Sequence, residues 1–345
     1  MLRKIIIILI LISLFSFVLT SCSINRQSSG LENNVTISNS GINGNADNII
    51  ITQALKSKDS AAKTIAKIFQ RLQKNDLNCL EGIVAKDIVW KYEGVEGAVP
   101  FAGTFYGKES VKKFWRTYLN SVTVINVTLR YFVHAGAVLD LHWTEEGISK
   151  PTGKKYIMET VQRWEFNDKG QVQKVRWYND PFAMYHAFQP NTSQQFSLAQ
   201  HPADYNITGD GPIEGLPIIK NLFADYLKGD LQAVLSYLDD NVVYILAGPQ
   251  SFTPFAGTWL GSTKFIEAVT IFLTTCRYET IEFYNFVGDG CIVDVEFVDT
   301  VLVYSTGKIV PCSGLHSFIL NSKGKIVKFR SYNHTYNMVQ GYLND

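Results

Sequence analysis

The chain of 345 residues is poor in the features that mark metal or nucleic-acid proteins. Its five cysteines, Cys22, Cys79, Cys276, Cys291 and Cys312, form neither a CxxC pair nor a metal-ligand spacing, so no zinc site is expected. Neither sign of charge is in excess. With 32 basic against 31 acidic residues the formal net charge is +1, and the basic footprint of a nucleic-acid partner is missing. No cofactor is expected. A long apolar run is missing too: Ile5 to Val18 is too short for a comfortable transmembrane span. What the chain has instead is 46% hydrophobic and 13% aromatic residues, enough for cores and for the walls of apolar pockets.

The apolar run follows Arg3 and Lys4 and ends in small polar residues, the layout of an export signal over residues 1–21. Leu19-Thr20-Ser21-Cys22 resembles the lipobox of bacterial lipoproteins. The resemblance implies cleavage before Cys22, a lipid on its thiol and a membrane partner. It places the chain in the bacterial cell envelope as a lipid-anchored lipoprotein. Ser23, where inner-membrane retention signals carry Asp, favours the outer membrane or cell surface. An ordinary secretory signal is the alternative. Residues 22–58 are rich in Asn, Ser and Gly and read as a flexible tether, with a reach of roughly 30 Å.

Beyond the tether one stretch organises the chain. Pro100-Phe101-Ala102-Gly103-Thr104 returns as Pro254-Phe255-Ala256-Gly257-Thr258, an offset of 154 residues. Gly107 and Gly261, Asp140 and Asp294, Thr152-Gly153-Lys154 and Thr306-Gly307-Lys308, and Arg176-x-Tyr178-Asn179 and Arg330-x-Tyr332-Asn333 hold the same offset without an insertion. A register kept over such a length implies a duplicated globular domain, since solenoid repeats run only about 20–50 residues. The expected domains are 59–188 and 214–345, joined by a polar linker over 189–213.

Within the first unit, Ile65, Ile68, Phe69 and Leu72 fall at helical spacing, and a shorter apolar turn follows through Leu77, Leu80 and Ile83. A strand over 87–92, the Pro-Phe-Ala-Gly-Thr loop and a helix with the stripe Val111, Phe114, Trp115, Tyr118 and Leu119 come next. Four antiparallel strands then run over 122–134, 137–144, 156–166 and 172–179, separated by turn residues. The second unit repeats this order. The fold class is therefore α+β: two tandem cone-shaped domains, each with three N-terminal helices packed on a bent antiparallel sheet.

Helices first, then a curved meander, with PFAGTFYGK at 100–108 and Arg176-Trp177-Tyr178-Asn179-Asp180 on the last strand, resemble the nuclear transport factor 2-like superfamily. The match is to its SnoaL-like and ketosteroid-isomerase-like bacterial branch. The resemblance implies a cone with an apolar pocket. The family includes isomerases, cyclases, an epoxide hydrolase and pure binding modules, so function has to come from the site. It puts Asp180 in the pocket of domain 1 as a proton-moving acid, walled by Trp90, Tyr92, Phe101, Gln162 and Tyr178. The other reading of Asp180, just before Pro181, is a cap on the turn leaving the sheet. In domain 2 the corresponding wall is Tyr244, Leu246, Phe255, His316, Tyr332 and His334, with His334 where domain 1 has the carboxylate.

Single-domain relatives commonly dimerise through the outer faces of their sheets, so the two domains are expected to pack as an internal pseudo-dimer. His142 and Glu296, on a polar face with Asp140 and Asp294, mark that face as solvated or as an interface. Hairpin register sets neither Cys291 nor Cys276 opposite Cys312, so buried thiols are expected. The favoured function is binding of a small, largely apolar organic molecule in one or both cones. The alternatives are a cofactor-free isomerase, cyclase or hydrolase using Asp180, and an envelope scaffold with filled pockets.

Overall fold

The computed structural model describes residues 60–72, 74, 76–190 and 213–344. The signal of 1–21, Cys22, the tether and most of the linker 189–213 lie outside the described residues. In the first half α1 (Ser60–Leu72) is followed by a 3-10 turn (Leu77–Leu80), β1 (Val84–Tyr92), β2 (Gly103–Tyr106) and α2 (Gly107–Ser121). The strands β3 (Val122–Ala135), β4 (Val138–Ser149), β5 (Lys155–Phe166) and β6 (Val172–Tyr178) and the helix α3 (Pro181–Phe188) complete it. In the second half α4 (Gly215–Lys228), α5 (Leu231–Ser236), β7 (Leu238–Leu246), β8 (Gly257–Leu260) and α6 (Ser262–Thr275) come first. They are followed by β9 (Cys276–Asp289), β10 (Ile292–Val303), β11 (Ile309–Leu320), β12 (Ile326–Asn333) and α7 (Thr335–Tyr342).

Each half has its own six-stranded sheet, in the orders β2-β1-β6-β5-β4-β3 and β8-β7-β12-β11-β10-β9. The α+β architecture is as the sequence implies, with refinements. The first strand of each half pairs parallel to the last, Tyr92 beside Trp177 and Leu246 beside Ser331. A short extra strand follows the Pro-Phe-Ala-Gly-Thr turn, and an extra helix closes each half. The shared glycine of that turn has a physical reason: Gly103 and Gly257 sit at φ +121° and +130°, where a Cβ is strained. Register slips in the long outer hairpins, between Leu129 and Tyr131 and between Val295 and Glu296, bend the sheets around their helices.

The convex faces of the two sheets meet, and the seam between them is polar and buried. Arg163 on β5, 1% exposed, lies 2.6 Å from Asp140 and 2.8 Å from Glu296 of the other half. His142 Nε2 is 2.7 Å from Asp294 Oδ2. Tyr178 donates its hydroxyl proton to Glu296, and Asn285, at φ +48°, donates from Nδ2 to the same carboxylate at 2.6 Å. The contacts exchange between the halves. Arg176 donates to Ser313 Oγ at 3.0 Å, while Arg330, its counterpart at offset 154, meets Glu159 at 2.7 Å. Arg163 donates to the Asn285 carbonyl at 3.1 Å, and Ser317 and Tyr131, at the exchanged positions, lie 3.3 Å apart. The face carrying His142 and Glu296 is thus an interface. Charges buried this deeply persist only when paired and hydrogen-bonded.

Candidate functional site

The concave side of the first sheet is closed by aromatic rings. Trp90, Trp164 and Trp177 have no exposure, and Trp115 and Trp143 are buried beside them. Ring centroids are 5.4 Å apart for Trp90 and Trp164, 5.5 Å for Trp90 and Trp115, and 5.6 Å for Trp143 and Trp177. Tyr92 and Phe101 pack edge to face at 5.0 Å and belong to the same core. One acid lies in this core. Glu145 on β4 accepts hydrogen bonds from the hydroxyls of Tyr118 at 2.5 Å and Tyr156 at 2.7 Å. Burial pushes its carboxyl pKa up, and the two hydroxyls oppose that. Gly147 makes room for this arrangement, because a Cβ there would meet the Tyr156 hydroxyl at 2.4 Å.

The second half has the same strand register with different side chains. Five of the chain's six tryptophans sit in the first cone, and at offset 154 they become Tyr244, Val269, Phe297, Phe318 and Ser331. Phe114 becomes Ala268. All six replacements line a cavity of ≈ 350 Å³. The apolar core of this half is accordingly split, one cluster around Phe318 and Ile326 and another around Phe255 and Met338.

Two ionisable groups stand out on the cavity wall. Asp299 on β10 is 5% exposed, and its Oδ1 has no hydrogen-bond partner among the described residues. Burial raises its pKa to about 7. It is opposite Cys312, as Glu145 is opposite Met158, so it is the counterpart of Glu145. The hydroxyl donors are gone: Phe272 and Val310 stand where the first half has Tyr118 and Tyr156. The second group, His316, stacks on Phe297 at 4.2 Å between ring centroids, and burial lowers its pKa to about 3, leaving a neutral imidazole. Cys312 and His316 share a face of β11, and the rise between them is roughly 13 Å. Asp299 and His316 therefore stand toward different ends of the cavity and do not form a hydrogen-bonded dyad.

The family model described as SnoaL-like domain matches residues 65–175. That stretch is similar to SnoaL-like domains. Similar solved structures include an NTF2-like protein from Burkholderia xenovorans LB400, 20% identical, covering 37% of this chain and 95% of that one, with a TM-score of 0.34. A putative SnoaL-like polyketide cyclase from Mesorhizobium loti is 22% identical, covering 35% and 99%, TM-score 0.28. A Mycobacterium tuberculosis protein, solved in complex with estradiol-17beta-hemisuccinate, is 18% identical, covering 34% and 92%, TM-score 0.30. No curated protein matches the chain.

In the first half the expected pocket residues do not surround an open space. Trp90, Tyr92 and Phe101 are packed core, and Gln162 is buried with its Oε1 accepting from Trp164 Nε1 at 3.2 Å. Tyr178 is on the opposite face of the sheet, in the seam with Val161, Leu315 and Tyr332. Trp177 is the residue beside Tyr92 and Gln162. Asp180 caps α3. Its carboxylate accepts from the amides of Phe182 at 3.1 Å and Ala183 at 3.3 Å, and from the Thr335 hydroxyl of the other half. The cap reading describes its place, not the pocket one. In the second half Tyr244, Leu246, Phe255 and His316 line the cavity. Tyr332 is in the seam and His334 precedes α7, so neither of them does; Ser331 and Asn333 line it instead.

Sequence reasoning missed Asp299, although the signal is there. The inward positions of β10 read Val293, Val295, Phe297, Asp299, Val301 and Val303, one carboxylate in an apolar row. Among the described residues there is no group of three His, Cys, Asp or Glu able to hold a metal ion, and no helix long and apolar enough to cross a membrane. The thiols of Cys79, Cys276, Cys291 and Cys312 are free, with Cys291 only partly buried.

Because folding raises the pKa of Asp299 from the ordinary carboxylate value of 3.8 to about 7, the folded state binds more protons there than the unfolded one. Stability is therefore lost as pH rises from about 4 to 7. Asp299→Asn is expected to stabilise the protein by roughly 1–4 kcal/mol at pH 8, with the gain shrinking towards pH 4. Urea unfolding of both proteins across that range checks it, and a gain that does not depend on pH contradicts it.

Proposed function

We propose that the chain is an exported, lipid-anchored protein of the bacterial cell envelope whose second half binds a small, largely apolar organic molecule. The observation that carries this reading is the exchange of the tryptophan core for smaller residues around a cavity of ≈ 350 Å³. A wall that is mostly apolar with a few convergent polar groups is the usual make-up of a small-molecule site. The SnoaL-like half is its closed structural partner. The two halves act as an internal pseudo-dimer, a reading supported by the seam contacts that recur with the halves exchanged, as in an isologous interface.

Binding is favoured over catalysis for two reasons. Asp180, the acid that the enzyme reading needs, has its Oδ1 engaged in a helix cap and in the Thr335 contact of the seam, away from either cone. In the second half Asp299 and His316 are too far apart to share a proton, and proton-transfer catalysis calls for groups within hydrogen-bond reach of one reacting centre. The filled-scaffold reading describes the first cone but not the second.

Returning the first cone's residue to the second should close the site. Wild-type protein is expected to bind 1-ethylnaphthalene saturably at one site, followed by its fluorescence, and Ser331→Trp to lose that binding while keeping a cooperative melt. Undiminished binding by the folded variant would contradict the assignment. The anchor rests on Leu19-Thr20-Ser21-Cys22. Expressed in a bacterium, the wild-type chain is expected in the membrane fraction, and Cys22→Ala is expected to be unprocessed or released. A variant processed and membrane-bound as before would remove the lipid from the account.

A further inference from the structure

Asp299 is an acid whose Oδ1 nothing among the described residues completes. Among the described residues no Lys or Arg lines the cavity, and Oδ1 has no hydrogen-bond partner although the residue is 5% exposed. The titratable groups facing it are Tyr226 from α4, Cys276 and Tyr278 from β9, and Cys312 from β11. None of these carries a positive charge. Tyr226 and Tyr278 lie beside each other. His316, farther along β11, is a neutral imidazole.

The first cone shows what a self-sufficient version of this position looks like. There the longer Glu145 reaches two tyrosine hydroxyls and is shut in by Trp143 and Tyr156. In the second cone the acid is shorter by one methylene, both donors have become hydrocarbon, and the space in front is open. A carboxyl in that setting lacks a donor, and the missing donor has to come from the ligand. The surrounding rings point to its charge. Tyr226, Tyr244, Tyr278 and Phe297 line the same cavity, and aromatic faces attract cations. An anionic ligand would meet no positive side chain and one acid.

We propose that the second cone takes a ligand with a basic amine on an apolar body, the ammonium group set against Asp299 and the body against the aromatic wall. This rests on the second cone being the ligand site. The ammonium is a charge-assisted donor, and pairing with it returns to Asp299 the partner that the fold withholds. Burial without that partner raises the Asp299 pKa to about 7, so at pH 6 the empty site is mostly protonated and has to release a proton to bind the cation. At pH 8 it is already ionised. Burial raises the pKa of Tyr226 and Cys276 to about 12 each, pushes Tyr278 and Cys312 higher still, and lowers His316 to about 3. Asp299 is then the group on this wall that titrates between pH 6 and pH 8.

The test is calorimetric titration of the full-length chain with three probes of similar size: 1-naphthylmethylamine, 1-ethylnaphthalene and 1-acetonaphthone. The amine is expected to bind about tenfold or more tighter than the hydrocarbon at pH 8. Its affinity is expected to rise about tenfold from pH 6 to pH 8, the change in ionised fraction for one group titrating near 7. Asp299→Asn is expected to lose the preference for the amine while still binding the hydrocarbon, which also shows that the variant is folded. The pH profile of the wild type stands by itself if the variant does not fold. Equal, pH-independent affinity for amine and hydrocarbon overturns the amine and leaves the cavity as a binding site. A ketone that outranks the amine overturns it in favour of a hydrogen-bond acceptor ligand. Binding of none of the three removes the binding reading, and this inference with it.

Discussion

The carboxylate of Glu296 is the point on which the two halves turn. It is 1% exposed, and it takes hydrogen bonds or ion pairs from Tyr178, Arg163 and Arg176 of the first half and from Asn285 of its own. A buried acid of this kind is costly unless its lone pairs are filled. Filling them demands that two convex sheet faces meet in one register. With the convex faces occupied by each other, each concave face is left to be closed by its own helices. The cones therefore open away from the seam, and a change in one cone's filling need not disturb the other.

That separation makes sense of the difference between the cones. The first spends five of the chain's six tryptophans on its interior and ties its single acid to two hydroxyls. The second keeps the strand register, drops the indoles and keeps an acid at the same place without its donors. A filled half and an open half are a workable division of labour. The filled half supplies core and one face of the seam, and the open half gives up packing for a cavity and tolerates a buried acid with a raised pKa. Sites commonly hold groups at a cost to stability that the rest of the fold offsets.

Much of the fold was legible because the repeat carried its register through the whole unit. The helical stripe of Ile65, Ile68 and Leu72, and the turn residues between the four meander strands, marked elements that the structure contains. The short strands Gly103–Tyr106 and Gly257–Leu260 were hidden inside what reads as a loop. The site was less legible, for one reason above others. The end of the last strand is buried on both faces, Trp177 in the cone and Tyr178 in the seam, so one aromatic residue follows another and parity leaves no mark. A one-residue slip moves every side chain to the other face, and it put Tyr178, Tyr332 and His334 in pockets they do not line. The resemblance also drew attention to Asp180 at the strand end and away from Asp299 in mid-strand. Comparing the two repeats position by position, with Tyr118 and Tyr156 against Phe272 and Val310, shows which acid lost its partners.

The central claim is that one cone is open and the other is filled. Soaking crystals of the chain with 1-bromonaphthalene and mapping the anomalous signal of bromine tests it directly. The account predicts one site, inside the second cone among Tyr244, Phe297 and Phe318, and no bromine among Trp90, Trp164 and Trp177. Bromine in the first cone, or an empty second cone at saturating probe, would contradict it.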